Sequence, residues 1–227
     1  GIEEDIAEDT TYNILGINGI TVWDLAQGHS TIANDGVKNT LHIVDTVLTS
    51  DGSKELYKTA QENQQVFDAN DCHLVQKAMQ GTTTYGTAAG VSTRLGRQVA
   101  GKSGTANDEK AASFVGYTPQ LLNVWAIWNP AEDGSAQEVP SFAGYGVSST
   151  GYPSHLFEEF MSLALQNQEV LTFTEPTDNG KIGGPDGTWG TGAQKTETRQ
   201  NQEMPKAEEN TEQTTPDPTQ NSDQNSG

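Results

Sequence analysis

Cysteine is nearly absent. Cys72 stands alone in 227 residues, so no intrachain disulfide forms and no cysteine-rich metal site is available. Basic residues are scarce as well. Twelve Lys and Arg face 31 Asp and Glu, for a formal net charge of −19. No basic stripe exists that could displace counterions from phosphates, which excludes nucleic acid as a partner. The acidity is read as a source of solubility. Long apolar runs are missing too. The longest, LLNVWAIW at 121–128, has the length of a strand and falls short of a membrane span. Nothing reads as a signal peptide. The four histidines, His29, His42, His73 and His155, show no metal-ligand spacing. His29 and His73 fall in helix-like segments and are read as structural or surface residues. No metal and no cofactor is expected.

Apolar residues make up 33% of the chain, which is low for a fully globular protein. The shortfall lies at the C-terminal end. From Thr174 onward the only large apolar residues are Ile182, Trp189 and Met204. Such a segment cannot bury enough surface to offset the entropy of ordering it. The expected organisation is a linker or cut edge over 1–13, a folded domain over 14–172, and a disordered acidic tail rich in Gln, Asn, Thr and Pro over 173–227.

Within the folded part, Thr21-Val22-Trp23-Asp24 reads as a capping box. It opens a helix with Val22, Leu25, Ala26, His29, Ile32 and Ala33 at helical spacing, ending at Gly36. The β-branched run 41–48 and the segment 55–58 read as two strands about a turn at 50–53. A second helix is expected over 70–81, burying Leu74, Val75, Ala78 and Met79. The Gly-rich stretch 82–90 reads as a loop. Strands follow at 98–105, 111–117 and 121–128, then a long loop over 129–151. A last helix, opened by Pro153, should bury Leu156, Phe157, Phe160, Met161, Leu163 and Ala164. Short connections make the consecutive strands antiparallel. The fold class is α+β, an antiparallel sheet flanked by helices.

The stretch RQVAGKSGTAN at 97–107 carries the chemistry. From Gly96 it satisfies the G-x-x-x-x-G-K-[ST] pattern of a phosphate-binding loop. That loop needs a strand leading in and a helix leading out. Here the residues after Ser103 are Gly104 and Thr105, and the next apolar run reads as strand. From Lys102 the same stretch reads K-S-G-T, the K-[ST]-G pattern of penicillin-recognising enzymes. This second reading calls for an outer strand beside a cleft. Lys102 would add positive charge near a nucleophile. Ser103 and Thr105 would offer hydroxyls to a substrate carboxylate, and the Thr105 N–H would point at a developing oxyanion. Gly101 and Gly104 would let a substrate backbone come close. Tyr85, Gly86 and Thr87 read either as a plain turn or as a loop lining the same cleft, and Asp108 and Glu109 read as a solvated turn, with the cleft border as the alternative. Trp125 and Trp128 are assigned to the sheet core or to packing under the last helix.

Two longer segments extend the signal. They are LGINGITVWDLAQGHSTIANDGV at 15–37 and QKAMQGTTTYGTAAGVSTRLGRQVAGKSGTANDEKAASFVGYTPQLLNVWAIWNP at 76–130. Together they resemble the C-terminal half of the transpeptidase domain of class A, bifunctional penicillin-binding proteins. The resemblance implies part of the fold shared by penicillin-binding proteins and serine β-lactamases. It also implies a D,D-transpeptidase that cross-links peptidoglycan stem peptides through an acyl-serine and is trapped by β-lactams. Lys102 would be the catalytic residue carried by this chain, with Ser103, Gly104 and Thr105 binding substrate. The expected partners are stem peptides, β-lactams and the remainder of the parent domain. The implied place is the cell envelope, at the extracytoplasmic face of the cytoplasmic membrane, held by an N-terminal anchor that precedes this stretch along with a glycosyltransferase domain.

One departure from the family limits the chemistry. No Ser is followed three residues later by Lys, and no Ser or Tyr two residues later by Asn. The nucleophile and its base are therefore missing from these residues, and the chain alone is expected not to acylate. A non-catalytic binding or scaffold unit of the same fold is the alternative.

Overall fold

The computed structural model describes residues 6, 12–13, 16, 18–141, 144–145 and 151–177. Most of the expected linker over 1–13 and the tail from Asp178 onward lie outside the described residues. Helix α1 (Val22–Ala33) starts where the capping box requires: the Thr21 hydroxyl accepts the Asp24 N–H at 3.0 Å. Its buried residues are Asp24, Gln27 and Thr31, not the apolar stripe read from spacing. Val22 is exposed. The reason is backbone satisfaction. Gln27 donates to Asn39 O at 2.7 Å and accepts the Leu41 N–H at 2.9 Å, so it replaces a strand partner for the chain leaving β1 (Val37–Asn39).

The strand expected at 41–48 shrinks to β2 (Thr46–Leu48), which pairs with β3 (Glu55–Lys58). Ile43 lies outside it and is 89% exposed. Strands β1 and β4 (Asn63–Gln65), neither expected, pair antiparallel and close the base of this arm. Helix α2 (Ala69–Thr84) is capped by Asp68, whose carboxylate accepts the N–H groups of Asn70 and Asp71. It buries Cys72, Gln76 and Thr83, while Val75 and Ala78 are exposed. Gln76 donates to Ile32 O at 2.7 Å and thereby ties α2 to the end of α1. The expected loop at 82–90 is partly helix. After it comes a short helix α3 (Val91–Leu95), also unexpected.

The central sheet has four strands in the order β5 (Ala100–Thr105), β6 (Ala111–Tyr117), β7 (Leu122–Pro130) and β8 (Ala136–Gln137), all antiparallel. The three long strands fall within two residues of the expected spans, and β8 is new. One face of this sheet carries Val99, Phe114 and Trp125, packed against Val91 of α3 and against Phe157, Met161 and Leu165 at helix α4 (Tyr152–Ala164). Phe114 meets Phe157 edge-on at 5.1 Å between centroids. The opposite face carries Ala100, Tyr117 and Leu122, packed with Ala33, Met79 and Phe173. In α4 the buried line is Ser154, Phe157, Met161 and Leu165; Phe160 and Leu163 are exposed, contrary to the expected stripe. Trp125 is core, as expected. Trp128, three residues along β7, alternates to the other face and is 65% exposed. No helix among the described residues is long and apolar enough to cross a membrane.

After α4 the chain folds back. Arg97 gathers its end, donating to the carbonyls of Leu165, Gln168 and Glu169. Phe173 buries against the Tyr117 ring, and its N–H donates to Gln98 Oε1 at 2.8 Å. Asn70 and Thr177 exchange two hydrogen bonds at 2.7 Å. The first residues of the expected tail, up to Thr177, are thus fastened to α2.

Candidate functional site

The K-S-G-T tetrapeptide lies on β5, the outer strand of the central sheet. Ala106 N–H donates to Ala111 O at 2.8 Å just beyond the strand. In the β5–β6 register, the pairs Gly104–Ser113 and Lys102–Val115 continue that hydrogen-bonded phase. The alternate residues Gly101, Ser103 and Thr105 therefore direct their N–H and C=O groups away from β6, toward the outer edge. Two observations agree with this phase. Val99 O takes the Thr83 hydroxyl at 2.6 Å, and Ser103 O takes the Lys102 ammonium at 2.5 Å. The Thr105 N–H points the same way.

This placement removes the phosphate-loop reading. Gly96 is the left-handed cap of α3, and Lys102 and Ser103 sit in mid-strand. The chain leaves β5 through a single 3-10 turn at Asn107–Glu109 into β6, with no helix N-terminus to face an anion. Asp108 and Glu109 take positive φ values of 56° and 52° in that turn, a conformation that costs most side chains energy.

Lys102 is exposed, and none of the ion pairs among the described residues includes it. Its ammonium does act on His29 of α1. Burial, and after it the Lys102 charge, lower the His29 pKa from 6.5 to about 4. Nδ1 of His29 is buried with no partner among the described residues. His29, read from the sequence as structural or surface, is thus a neutral imidazole within electrostatic reach of the site. No spacing signal in the sequence pointed to it, because α1 and β5 are brought together only by the fold.

Ser103 is 7% exposed, and its hydroxyl meets the Thr87 hydroxyl at 2.8 Å. Thr87, grouped with Tyr85 and Gly86 as a possible cleft lining, therefore reaches the strand. Tyr85 is the C-terminal cap of α2 and is exposed. The glycines have a packing cause. A Cβ on Gly101 would lie 2.7 Å from the Phe114 ring, and one on Gly104 would lie 2.6 Å from Ser113 Oγ. Their small size is accounted for by neighbours inside the sheet, whereas the sequence reading assigned it to an approaching substrate.

The site is therefore an outer strand presenting one ammonium, buried and exposed hydroxyls, and edge-directed amides. It can hold an anionic, extended ligand. Within the chain it contains no serine with a lysine in the next helical turn.

Comparison with known proteins places this geometry in a family. A family model described as the penicillin binding protein transpeptidase domain matches residues 4–147. The chain is similar to penicillin-binding protein 1A of Neisseria flavescens, at 32% identity over 74% of this chain and 21% of that protein. It is also similar to penicillin-binding protein 1A of Mycolicibacterium smegmatis, at 29% identity over 81% of this chain and 24% of that protein. Among solved structures, penicillin-binding protein PonA1 from Mycobacterium tuberculosis aligns with a TM-score of 0.58 and 26% identity. That alignment covers 74% of this chain and 44% of the other. Penicillin-binding protein 1A from Haemophilus influenzae shares the fold at a TM-score of 0.55 and 17% identity, over 73% of this chain and 29% of that one. The chain spans between a fifth and a quarter of the length of these two curated relatives.

Proposed function

The chain belongs to the penicillin-binding protein transpeptidase domain family, and from that premise we propose that it is the K-S-G-T part of a peptidoglycan D,D-transpeptidase. In a longer protein containing it, a serine supplied by another segment attacks the carbonyl of a D-Ala-D-Ala stem peptide. An ester bond forms, the peptide C–N bond breaks, and D-alanine leaves with the proton. An amine of a neighbouring stem then attacks the ester, which makes the cross-link and returns the serine.

In this reading Lys102 sets a positive charge beside the serine and its proton path. Ser103 and Thr105 hold the substrate's terminal carboxylate. The Thr105 N–H, directed to the outer edge, stabilises the oxyanion. Gly104 leaves room for Ser113 Oγ on the neighbouring strand, where a Cβ would collide. β-Lactams, which mimic the dipeptide, acylate the same serine. The parent works at the extracytoplasmic face of the cytoplasmic membrane, held by an anchor of its own.

The observation that carries the reading is the phase of β5. The backbone groups of Gly101, Ser103 and Thr105 and the ammonium of Lys102 converge on one outer edge. Labelling with a fluorescent penicillin tests it. The parent protein should form a covalent adduct, and the 227-residue chain alone should form none. An adduct on the isolated chain would show that the nucleophile had been misplaced. No adduct on the parent would remove the reading altogether.

A further inference from the structure

We propose that Thr87 is a positioning residue for the K-S-G-T strand: its hydroxyl, paired with Ser103 Oγ, sets the direction in which Ser103 presents its proton to a carboxylate on the β5 edge. The inference rests on the transpeptidase reading and names a residue outside the tetrapeptide that serves it.

The two hydroxyl oxygens lie 2.8 Å apart, and either can be the donor. A hydroxyl has one proton and two acceptor positions. When Ser103 donates to Thr87, its proton is occupied. When Thr87 donates to Ser103, the Ser103 proton is released for another acceptor. A carboxylate accepts only, so its arrival selects the second arrangement. Ser103 is almost fully buried while Thr87 is exposed. The outer hydroxyl can therefore draw on solvent while the inner one stays fixed.

Thr87 is not free to drift. The loop that carries it is held by Ala88 N–H to Thr82 O and Gly90 N–H to Thr83 O, each at 2.9 Å. Ala88 is buried in the core. Four residues earlier, the Thr83 hydroxyl grips Val99 O, immediately before the same strand, at 2.6 Å and meets Ser92 Oγ at 2.8 Å. The α2 end and its loop are thus pinned to β5 at two points, Thr83 on Val99 and Thr87 on Ser103. The first fixes the strand, and the second fixes a side chain on it.

The test uses the full parent protein. The second-order rate constant for acylation is measured with a penicillin bearing its free carboxylate and with the methyl ester of the same compound. Thr87→Val should slow acylation by the free acid about three- to tenfold, the weight of one hydrogen bond. Thr87→Ser should restore the wild-type rate. The loss should vanish with the ester and in a Ser103→Ala background, and the thermal midpoint should stay in place. Thr87→Ala repeats the measurement if valine disturbs the loop. A wild-type rate in both Thr87→Val and Thr87→Ala overturns the proposal, and so does equal slowing with acid and ester. If Lys102→Ala and Ser103→Ala also acylate at the wild-type rate, the transpeptidase reading falls and the proposal falls with it.

Discussion

Residue by residue, the site is governed by what surrounds one lysine and one histidine. The Lys102 ammonium donates to its neighbour's carbonyl, and its charge adds to burial in keeping His29 neutral. This coupling has a pH signature. The folded pKa of about 4 lies below the ordinary 6.5, so the unfolded chain takes up the proton first as pH falls. The stability contributed by the neutral imidazole is fully present above pH 6.5 and is lost on the way down to about pH 4. The loss amounts to roughly 3 kcal/mol at most. Urea unfolding of wild type and His29→Gln at pH 7 and pH 4.5 checks this. The wild type should lose more stability between the two than the variant, and equal losses would remove His29 as the cause. Cys72 behaves in the opposite sense. Burial, and then the nearby Asp35, Asp71 and Asp68 carboxylates, raise its thiol pKa, so it should react slowly with thiol reagents at neutral pH.

At the scale of elements, Arg97 ties the entry to β5 to the end of α4. Its guanidinium answers three carbonyls at and beyond the end of α4, where helix carbonyls lack partners. Arg97→Ala should cost about 1–3 kcal/mol of unfolding free energy, seen as a lower urea midpoint at unchanged slope. Arg97→Lys should recover only part of it, because an ammonium lacks the fork that reaches several carbonyls. A midpoint unmoved by the alanine variant would show that the α4 end is held by other contacts.

The elements also show where sequence reading succeeds and where it stops. The three long strands are legible because short apolar runs are bounded by Gly, Pro and polar turn residues, and K-S-G-T falls on one of them. The starts of α1 and α2 were marked by Thr21 and Asp68, although only the first was read as a cap. The buried faces of both helices were misread for one physical reason. Gln27, Thr31, Gln76 and Thr83 go inside because each bonds to a backbone group of the chain, and a rule that sorts residues by polarity sends them outward. The short pairs β1–β4 and β7–β8 left no pattern, since two or three residues carry no periodicity. In the sequence Thr87 is legible only as part of a loop. Its partner, Ser103, lies 16 residues away, and contacts of that kind are set by the fold.

At the scale of the molecule, the described frame extends a little beyond helix α4. Phe173 packs on Tyr117 and Ala100, and Glu175 pairs with Lys77 at 2.9 Å on the surface. Two truncations separate these contributions. Ending the chain after Thr177 should leave the thermal midpoint almost unchanged, because the composition beyond it cannot form a core. Ending it after Leu171 removes Phe173 and should cost about 2–4 kcal/mol through the lost aromatic burial. Equal midpoints for the two would show that the returning segment 172–177 contributes nothing.

Lys102 on the outer edge of β5 is proposed to serve the acyl-transfer chemistry of a longer transpeptidase. The measurement that addresses it most directly is the acylation rate of the parent protein by a labelled penicillin, wild type against Lys102→Ala, with the thermal midpoint recorded for both. A fall of about a hundredfold or more in rate is expected at an unchanged midpoint. Acylation at the wild-type rate by a folded Lys102→Ala protein would contradict it.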